Sequence, residues 1–435
     1  MILAILVFEV FSDLGTNWVI RARYFQFKNK HEIASYVSTL LVISLIIRLI
    51  LSTVIFLTKD IINIEIFPSW SSHYSNLLNI QIGIFFLYYI RNTIIPILIL
   101  EKHTTKYLIL TLSAYFIQVI TSLFLLISVK IGIASIFYGE LLGAIIFSFL
   151  SIMFLKDYIR PRLNINVFHD LIKIGLPSIP KNIFGQIQNN LNKYFIQLYM
   201  TTFDLGIFQK SDFLYGGFKG LQKSVGNTVA PNNLKKITEN KEDSETGSII
   251  IQFLYVLSVM VLITTFYLED IFKLMGVNNA FWICAKYAPL YGYNILITCF
   301  IIMFNHNILI SRKTNFFVII AIIGLIASVL SNIIMIPKYG IIGGIFSVIL
   351  VSLVTVISSI IYSEVFLSYK TKINYWVWFL MLIIILFLYS LDYNGFLEYT
   401  GLKTIILFSY FICILLIDKY FVFAINWNKI LMINK

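Results

Sequence analysis

Charged residues are scarce in this chain of 435 residues: Asp, Glu, Lys and Arg together make up 12% of it, against roughly 25% in an ordinary soluble domain. With 59% hydrophobic residues and a mean hydropathy of +0.87, the chain has too little polar surface to clothe a water-soluble body. It reads as an all-α polytopic membrane protein. Cysteine is nearly absent: Cys284, Cys299 and Cys413 stand singly in apolar runs without CxxC spacing, which excludes a disulfide framework and a zinc site and leaves packing roles. Histidine is also rare, at 5 residues, and His31-Glu32 lacks the second histidine that a zinc-protease helix needs. No Gly-rich loop with its Lys cradles a phosphate and no nucleophile elbow is present, so neither nucleotide hydrolysis nor another enzymatic activity is indicated, and no cofactor is implied. The opening MILAILVFEVF has no basic n-region or small-residue cleavage site, which argues against a cleaved signal.

Acidic residues are fewer than basic ones, 21 against 33, for a formal net charge of +12. The basic residues crowd short loops between apolar runs, a pattern of membrane topology and not of nucleic-acid binding. Runs long enough to cross a hydrocarbon core lie near 1–18, 36–58, 78–100, 107–129, 132–155, 171–199, 207–230, 249–268, 284–310, 315–336, 340–366, 374–391 and 403–424, about 13 spans. Strict alternation puts 19 Lys and Arg in the segments on one side, beginning with 21–35 and ending with 425–435, and 4 in the opposite loops. The positive-inside rule makes the first side, and the C-terminus, cytoplasmic. Trp18, Trp70, Trp282, Trp376, Trp378 and Trp427 fall in loops or near span ends, as an aromatic belt requires.

An internal repeat is visible. Lys130-Ile131-Gly132-Ile133 and Lys338-Tyr339-Gly340-Ile341 each join two spans and stand 208 residues apart. The repeat divides the chain into an N-terminal lobe over 1–165, a second lobe over 166–370, and two additional C-terminal helices in 371–435. Carrying the period back from the span at 171 places its partner about 40 residues before Met1, so a first helix is expected to be missing.

The stretch from Lys173 to Asn227 departs most from lipid chemistry. On a helix, Lys181, Gly185, Gln188 and Asn192 share one face, and Asp212, Gly216, Lys219, Lys223 and Asn227 share another. An ionised group at the bilayer centre costs roughly 2.5–3.5 kcal/mol on insertion scales, so these faces demand a wettable interior. Further cations stand within spans: Arg48 between Ser44 and Ser52, Arg91 beside Asn92, and Lys193 and Lys210 towards the outer ends, where interfacial positions are the alternative. Lys173, Arg21 and Lys286 lie close to boundaries and read as snorkelling or topology-setting residues. His306, between Asn305 and Asn307, reads as a packing histidine before a proton site. An interior this cationic suits an anionic ligand. Gly175, Pro177 and Pro180 would break their helix near its cytoplasmic end and form a hinge.

The run Leu171-Ile172-Lys173-Ile174-Gly175-Leu176-Pro177-Ser178-Ile179-Pro180, followed by Asn192-Lys193 and Leu205-Gly206-Ile207-Phe208, resembles the middle of Wzx-type oligosaccharide flippases of the MATE-like MOP exporter superfamily. Asp13-Leu14-Gly15 followed by Arg21 resembles the end of that family's second helix, while Asn192 stands where an acidic residue is common there. The resemblance implies a two-lobe helical bundle in the bacterial plasma membrane. It implies flipping of undecaprenyl-diphosphate-linked oligosaccharide repeat units for O-antigen or capsule; the residues themselves independently supply Lys181, Lys219, Arg48, Arg91, Lys223, Lys193 and Lys210 as a candidate cationic lumen, an ion pair with Glu140 being the alternative for Arg48, and Gln188, Asn192 and Asp212 as its polar part. Its partners would be that lipid-linked oligosaccharide, membrane lipid, the polysaccharide polymerase machinery and a coupling ion, with H+ and Na+ both open. Three alternatives remain. A MATE-type drug exporter would want carboxylates where this chain has lysines. A polysaccharide polymerase or ligase would want a larger external loop than residues 59–77 provide. A nonfunctional remnant would explain the missing helix.

Overall fold

A computed structural model describes residues 12–27, 29–66, 75–159, 164–239, 244–311, 313, 315–366, 375–397 and 399–419. Most of the expected first span, Trp70, Trp427 and the C-terminal segment 425–435 lie outside the described residues. Every regular element among the described residues is helical, and eight helical stretches are long and apolar enough to cross a membrane. Helices are what the composition dictates, because in lipid each backbone N–H and C=O must find its partner within the chain. The chain forms two compact units, Met1–Ile183 and Phe184–Lys435.

The first unit holds α1 (Thr16–Arg23), α2 (Lys30–Ile66), α3 (Ser75–Leu87), α4 (Arg91–Leu100), α5 (Thr104–Phe124), α6 (Ala134–Leu155), the short α7 (Asn166–Asp170) and the start of α8 (Ser178–Tyr199). A single 3-10 turn, Tyr88–Ile90, joins α3 to α4, so the two act as one span. Helices α5 and α6 form a hairpin whose turn places Lys130 and Gly132 in the left-handed region, at φ 59° and 64°. They approach closely because Gly139 and Gly143, one turn apart, face Ala114, Gln118 and Ser122; a Cβ on Gly143 would stand 3.0 Å from the Ala114 carbonyl oxygen. This is the small-residue packing that holds membrane helices together where no hydrophobic effect drives them.

The Asp13-Leu14-Gly15 segment does not continue a helix. Leu14 and Gly15 both take positive φ, 43° and 68°, and α1 starts afresh at Thr16, whose hydroxyl donates to Asp13 Oδ1 at 2.6 Å. The turn fits against Gly175: a Cβ there would run into the Leu14 carbonyl oxygen, and a Cβ on Gly15 would run into Gly175 and the Ser178 hydroxyl. Two motifs 160 positions apart in the numbering therefore interlock backbone to backbone. Nearby, Arg23 Nε donates to Asp170 Oδ2 at 2.7 Å, its Nη2 donates to Oδ1, and the Tyr36 hydroxyl donates to Oδ2 at 2.8 Å. The hydrogen bond to buried Asp170 holds the Arg23 guanidinium above the usual arginine range.

The second unit continues α8 and adds α9 (Thr202–Leu214), α10 (Gly216–Thr238), α11 (Ser244–Leu274), α12 (Trp282–Thr298), α13 (Ile301–Ile310), α14 (Asn315–Phe366), α15 (Tyr375–Tyr393) and α16 (Thr400–Ile417). Helix α14 contains two arms about Gly340, at φ 61°, a positive value like that of Gly132. The expected spans 207–230 and 284–310 are each interrupted. The first breaks at Tyr215, whose side chain is 1% exposed, reaches the Thr264 hydroxyl and lies where a Cβ on Gly292 would be. The second breaks between α12 and α13, where buried Phe300 meets Trp378 edge-on at 5.7 Å and the Trp378 indole donates to the Leu296 carbonyl at 3.0 Å. Helix α15 thus packs into the core of the second unit, and Tyr410 and Ile414 of α16 join it there.

Gly175→Ala is expected to destabilise the protein by about 1–3 kcal/mol, because the clash is with backbone that cannot turn aside. Gly185→Ala, in α8 with nothing within 4 Å of its added methyl, is expected to be neutral or slightly stabilising. Thermal unfolding of the two purified variants decides the point; equal midpoints would contradict the interlock.

Candidate functional site

The sequence-selected cations occupy different environments. Arg48, on α2, is enclosed: it is 2% exposed, Ser44 and Ser52 flank it one turn either way, and its Nη1 donates to the Phe85 carbonyl of α3 at 2.5 Å. Its guanidinium also lies 4.8 Å from the Phe85 ring centre. The opposite face of α2 exposes Ile46, Leu49 and Ile50. The residues between thus sort lipid from interior by helical period alone. Arg91, the first residue of α4, is exposed and lies over the Tyr88 ring at 5.2 Å.

Helix α8 begins where a π-helical turn, Leu171–Gly175, gives out. Leu176 and Pro177 form the turn, Ser178 starts the helix with its hydroxyl donating to the Gly175 carbonyl at 2.6 Å, and Pro180 sits in the first turn, where its missing N–H costs little. The next residue, Lys181, is half-buried with its ammonium 4.3 Å from the centre of the Trp18 ring. Such a contact is worth about 0.5–2 kcal/mol depending on desolvation. Trp18, expected at a membrane interface, is here a platform for a cation.

Further along α8, half-buried Gln188 packs against Gly324 of α14, where an added Cβ would stand 3.2 Å from its Oε1. Asn192 is 6% exposed and accepts from Asn332 Nδ2 at 2.5 Å. The same amide donates to the Ser328 carbonyl at 2.8 Å, and Ser331 and Ser347 share a hydrogen bond at 2.5 Å. This buried amide and hydroxyl cluster contains no charged side chain among those named. Its α14 partners were not selected from the sequence, although Ser328, Ser331 and Asn332 stand out as polar residues in an apolar run. Lys193, beside Asn192, is half-buried.

The break at Tyr215 changes the expected face over Asp212–Asn227. Asp212 ends up on α9 and Lys219 on α10, yet the two meet in an ion pair across the break. Both are about two-fifths exposed, and the Lys219 ammonium lies 5.9 Å from the Tyr291 ring. Lys210 lies over Phe213 at 5.8 Å and Lys223 is exposed one turn beyond Lys219. Arg48, Arg91 and Lys181 thus belong to the first unit, and Lys193, Lys210, Lys219 and Lys223 to the second. His306 is buried, with its Nδ1 3.2 Å from Asn233 Nδ2, and the neighbouring Asn307 donates to Ser363 at 2.9 Å. Among the described residues no group of three His, Cys, Asp or Glu side chains is placed to hold a metal ion.

These environments predict different stability costs. Lys219→Ala removes an exposed pair and is expected to change the unfolding free energy by less than about 1 kcal/mol. Arg48→Ala empties an enclosed position and is expected to cost on the order of 3 kcal/mol. Unfolding midpoints of the detergent-purified variants measure both, and similar losses would contradict the assignment.

The polysaccharide biosynthesis protein family model matches residues 1–272. No curated protein matches the chain. Among solved structures, an outward-facing multidrug resistance MATE family transporter of the MOP superfamily is similar at TM-score 0.65 and 13% identity, covering 83% of this chain and 84% of that one. The Vibrio cholerae MATE transporter VcmN in its bent form gives TM-score 0.61 and 13% identity over 89% of this chain and 87% of that one. A MOP superfamily transporter from Pyrococcus furiosus, described by a reversed polarity of its binding pocket, gives 0.63 and 13% over 83% and 85%. At such identities the likeness establishes the fold, and the family match establishes membership: the chain belongs to the polysaccharide biosynthesis protein family and has the two-lobe helical fold of the MATE-like MOP transporters.

Proposed function

We propose that this transporter flips undecaprenyl-diphosphate-linked oligosaccharide repeat units from the cytoplasmic to the outer leaflet of a bacterial plasma membrane. Its C-terminus is cytoplasmic, and its lobes, 1–165 and 166–370, rock about the Gly175–Pro180 turn while the helices in 371–435 stay with the second. The observation that carries this reading is the sign of the interior charge. The selected set holds seven cations, Lys181, Lys219, Arg48, Arg91, Lys223, Lys193 and Lys210, against Asp212 within it and Glu140 and Glu364 elsewhere in the spans.

A diphosphate crossing hydrocarbon alone would face a Born cost of tens of kcal/mol, which ammonium and guanidinium partners in a wet path offset. Lys181 suits contact with it: the Trp18 face orients the ammonium beside the turn on which the lobes move. A drug cation, by contrast, would be repelled by the same set. An inside-negative potential favours outward movement of the anion by about 2.3 kcal/mol per charge per 100 mV, without nucleotide hydrolysis.

The test is complementation of cells that lack their own flippase, with the chain and its Lys181→Ala, Lys181→Arg and Lys219→Ala variants at matched membrane abundance. The parent is expected to restore surface polysaccharide, both alanine variants to give less than about a tenth of it, and Lys181→Arg to recover part. Full restoration by both alanine variants would remove these lysines from the path. Export of cationic dyes by the parent, with no polysaccharide restored, would establish the drug-exporter reading instead.

A further inference from the structure

A cavity of about 460 Å³ lies within the second unit, among the end of α11, the start of α12, the end of α15 and the start of α16. Its size falls in the range of small-molecule sites, about 300–1,000 Å³. None of the cations of the proposed lumen lines it. Six charged side chains do: Glu269, Asp270 and Asp392 against Lys273, Lys286 and Lys403. The formal charges cancel.

Four of these groups are paired with one another. Lys403 Nζ lies 2.8 Å from Asp392 Oδ1, with both side chains about four-fifths buried, and donates to the Phe266 carbonyl at 3.2 Å. Lys273 Nζ lies 3.0 Å from Glu269 Oε1. The Tyr389 hydroxyl donates to the Lys286 carbonyl at 3.1 Å, which ties α15 to α12. A tight turn closes the end of α15: Gly395, at φ 79°, donates to the Asp392 carbonyl at 3.0 Å. Tyr389 and Tyr393 stand 5.8 Å apart with their rings inclined at 32°, and Tyr393 is 43% exposed.

The lining selects a ligand class. Six charges exclude a lipid tail, and an anion or a cation would meet as much repulsion as attraction. A hydroxyl group gains from both signs at once, because it donates to a carboxylate while accepting from an ammonium, and such charge-assisted bonds are roughly twice as strong as neutral ones. A sugar ring adds an apolar C–H face suited to tyrosine. We infer that this cavity binds a neutral saccharide, at a site separate from the diphosphate path. Its placement on the outer side rests on the topology of the proposed function; the binding itself does not.

The experiment uses the full-length protein in detergent, labelled and applied to an array of neutral, acidic and zwitterionic bacterial glycans, with chitotriose, maltotriose and trigalacturonate titrated in solution. Neutral glycans are expected to bind and trigalacturonate at least tenfold more weakly than the best of them. Tyr393→Ala, at an exposed ring, and Glu269→Gln are each expected to weaken neutral binding about tenfold at unchanged unfolding midpoint. Absence of neutral binders, preference for acidic glycans, or parent-like binding by both variants would overturn the inference. Because binding is read in detergent, failure of the parent to restore polysaccharide in cells would count against the transport reading alone.

Discussion

Everything in this fold follows from a solvent that offers no hydrogen bonds. In hydrocarbon the backbone must satisfy itself, so the chain is helix wherever it is apolar, and each place where a helix stops needs a substitute for the lost bonds. The structure shows what those substitutes are. Tyr215 interrupts a span by reaching Thr264 and filling the space beside Gly292. Gly132 and Gly340 turn their repeats through left-handed backbone. The Leu14-Gly15 turn is held by direct contact with Gly175. Small residues are thus not fillers here, since the points of closest approach depend on them.

The same solvent governs how charge is distributed. Arg48 is enclosed against a carbonyl and an aromatic ring, an arrangement that secures helices to one another. Lys181 and Lys219 sit on aromatic faces with more room around them, and Lys219 shares an exposed pair with Asp212. Asn192, expected in the polar part of the interior, is bonded to an amide within a cluster of amides and hydroxyls.

The spans were legible because an apolar run of about 20 residues matches the thickness of a hydrocarbon core and exceeds what a buried strand or core helix needs. The two turns at Gly132 and Gly340 were legible because both carry Lys-x-Gly-Ile. The breaks at Tyr215 and between α12 and α13 were not. Gly216-Gly217 weakens the helix beside Tyr215, but the place of the side chain against Gly292 is set by tertiary packing alone. Asn192 was legible as a polar position, but its partner Asn332 lies 140 residues away. Trp18 was assigned to an interface by its place near a span end, and its pairing with Lys181 was hidden because it depends on the Gly15–Gly175 contact that sets α1 beside the start of α8.

Reconstitution tests the central claim most directly. Vesicles carrying the purified chain and a fluorescent polyprenyl-diphosphate saccharide would be treated with a membrane-impermeant quencher under an imposed potential. Transfer of an anion through a cationic path predicts that quenching passes the outer-leaflet limit and quickens when the acceptor side is positive. Quenching that stops at that limit for the parent chain, while the same vesicles transport cationic dyes, would contradict it.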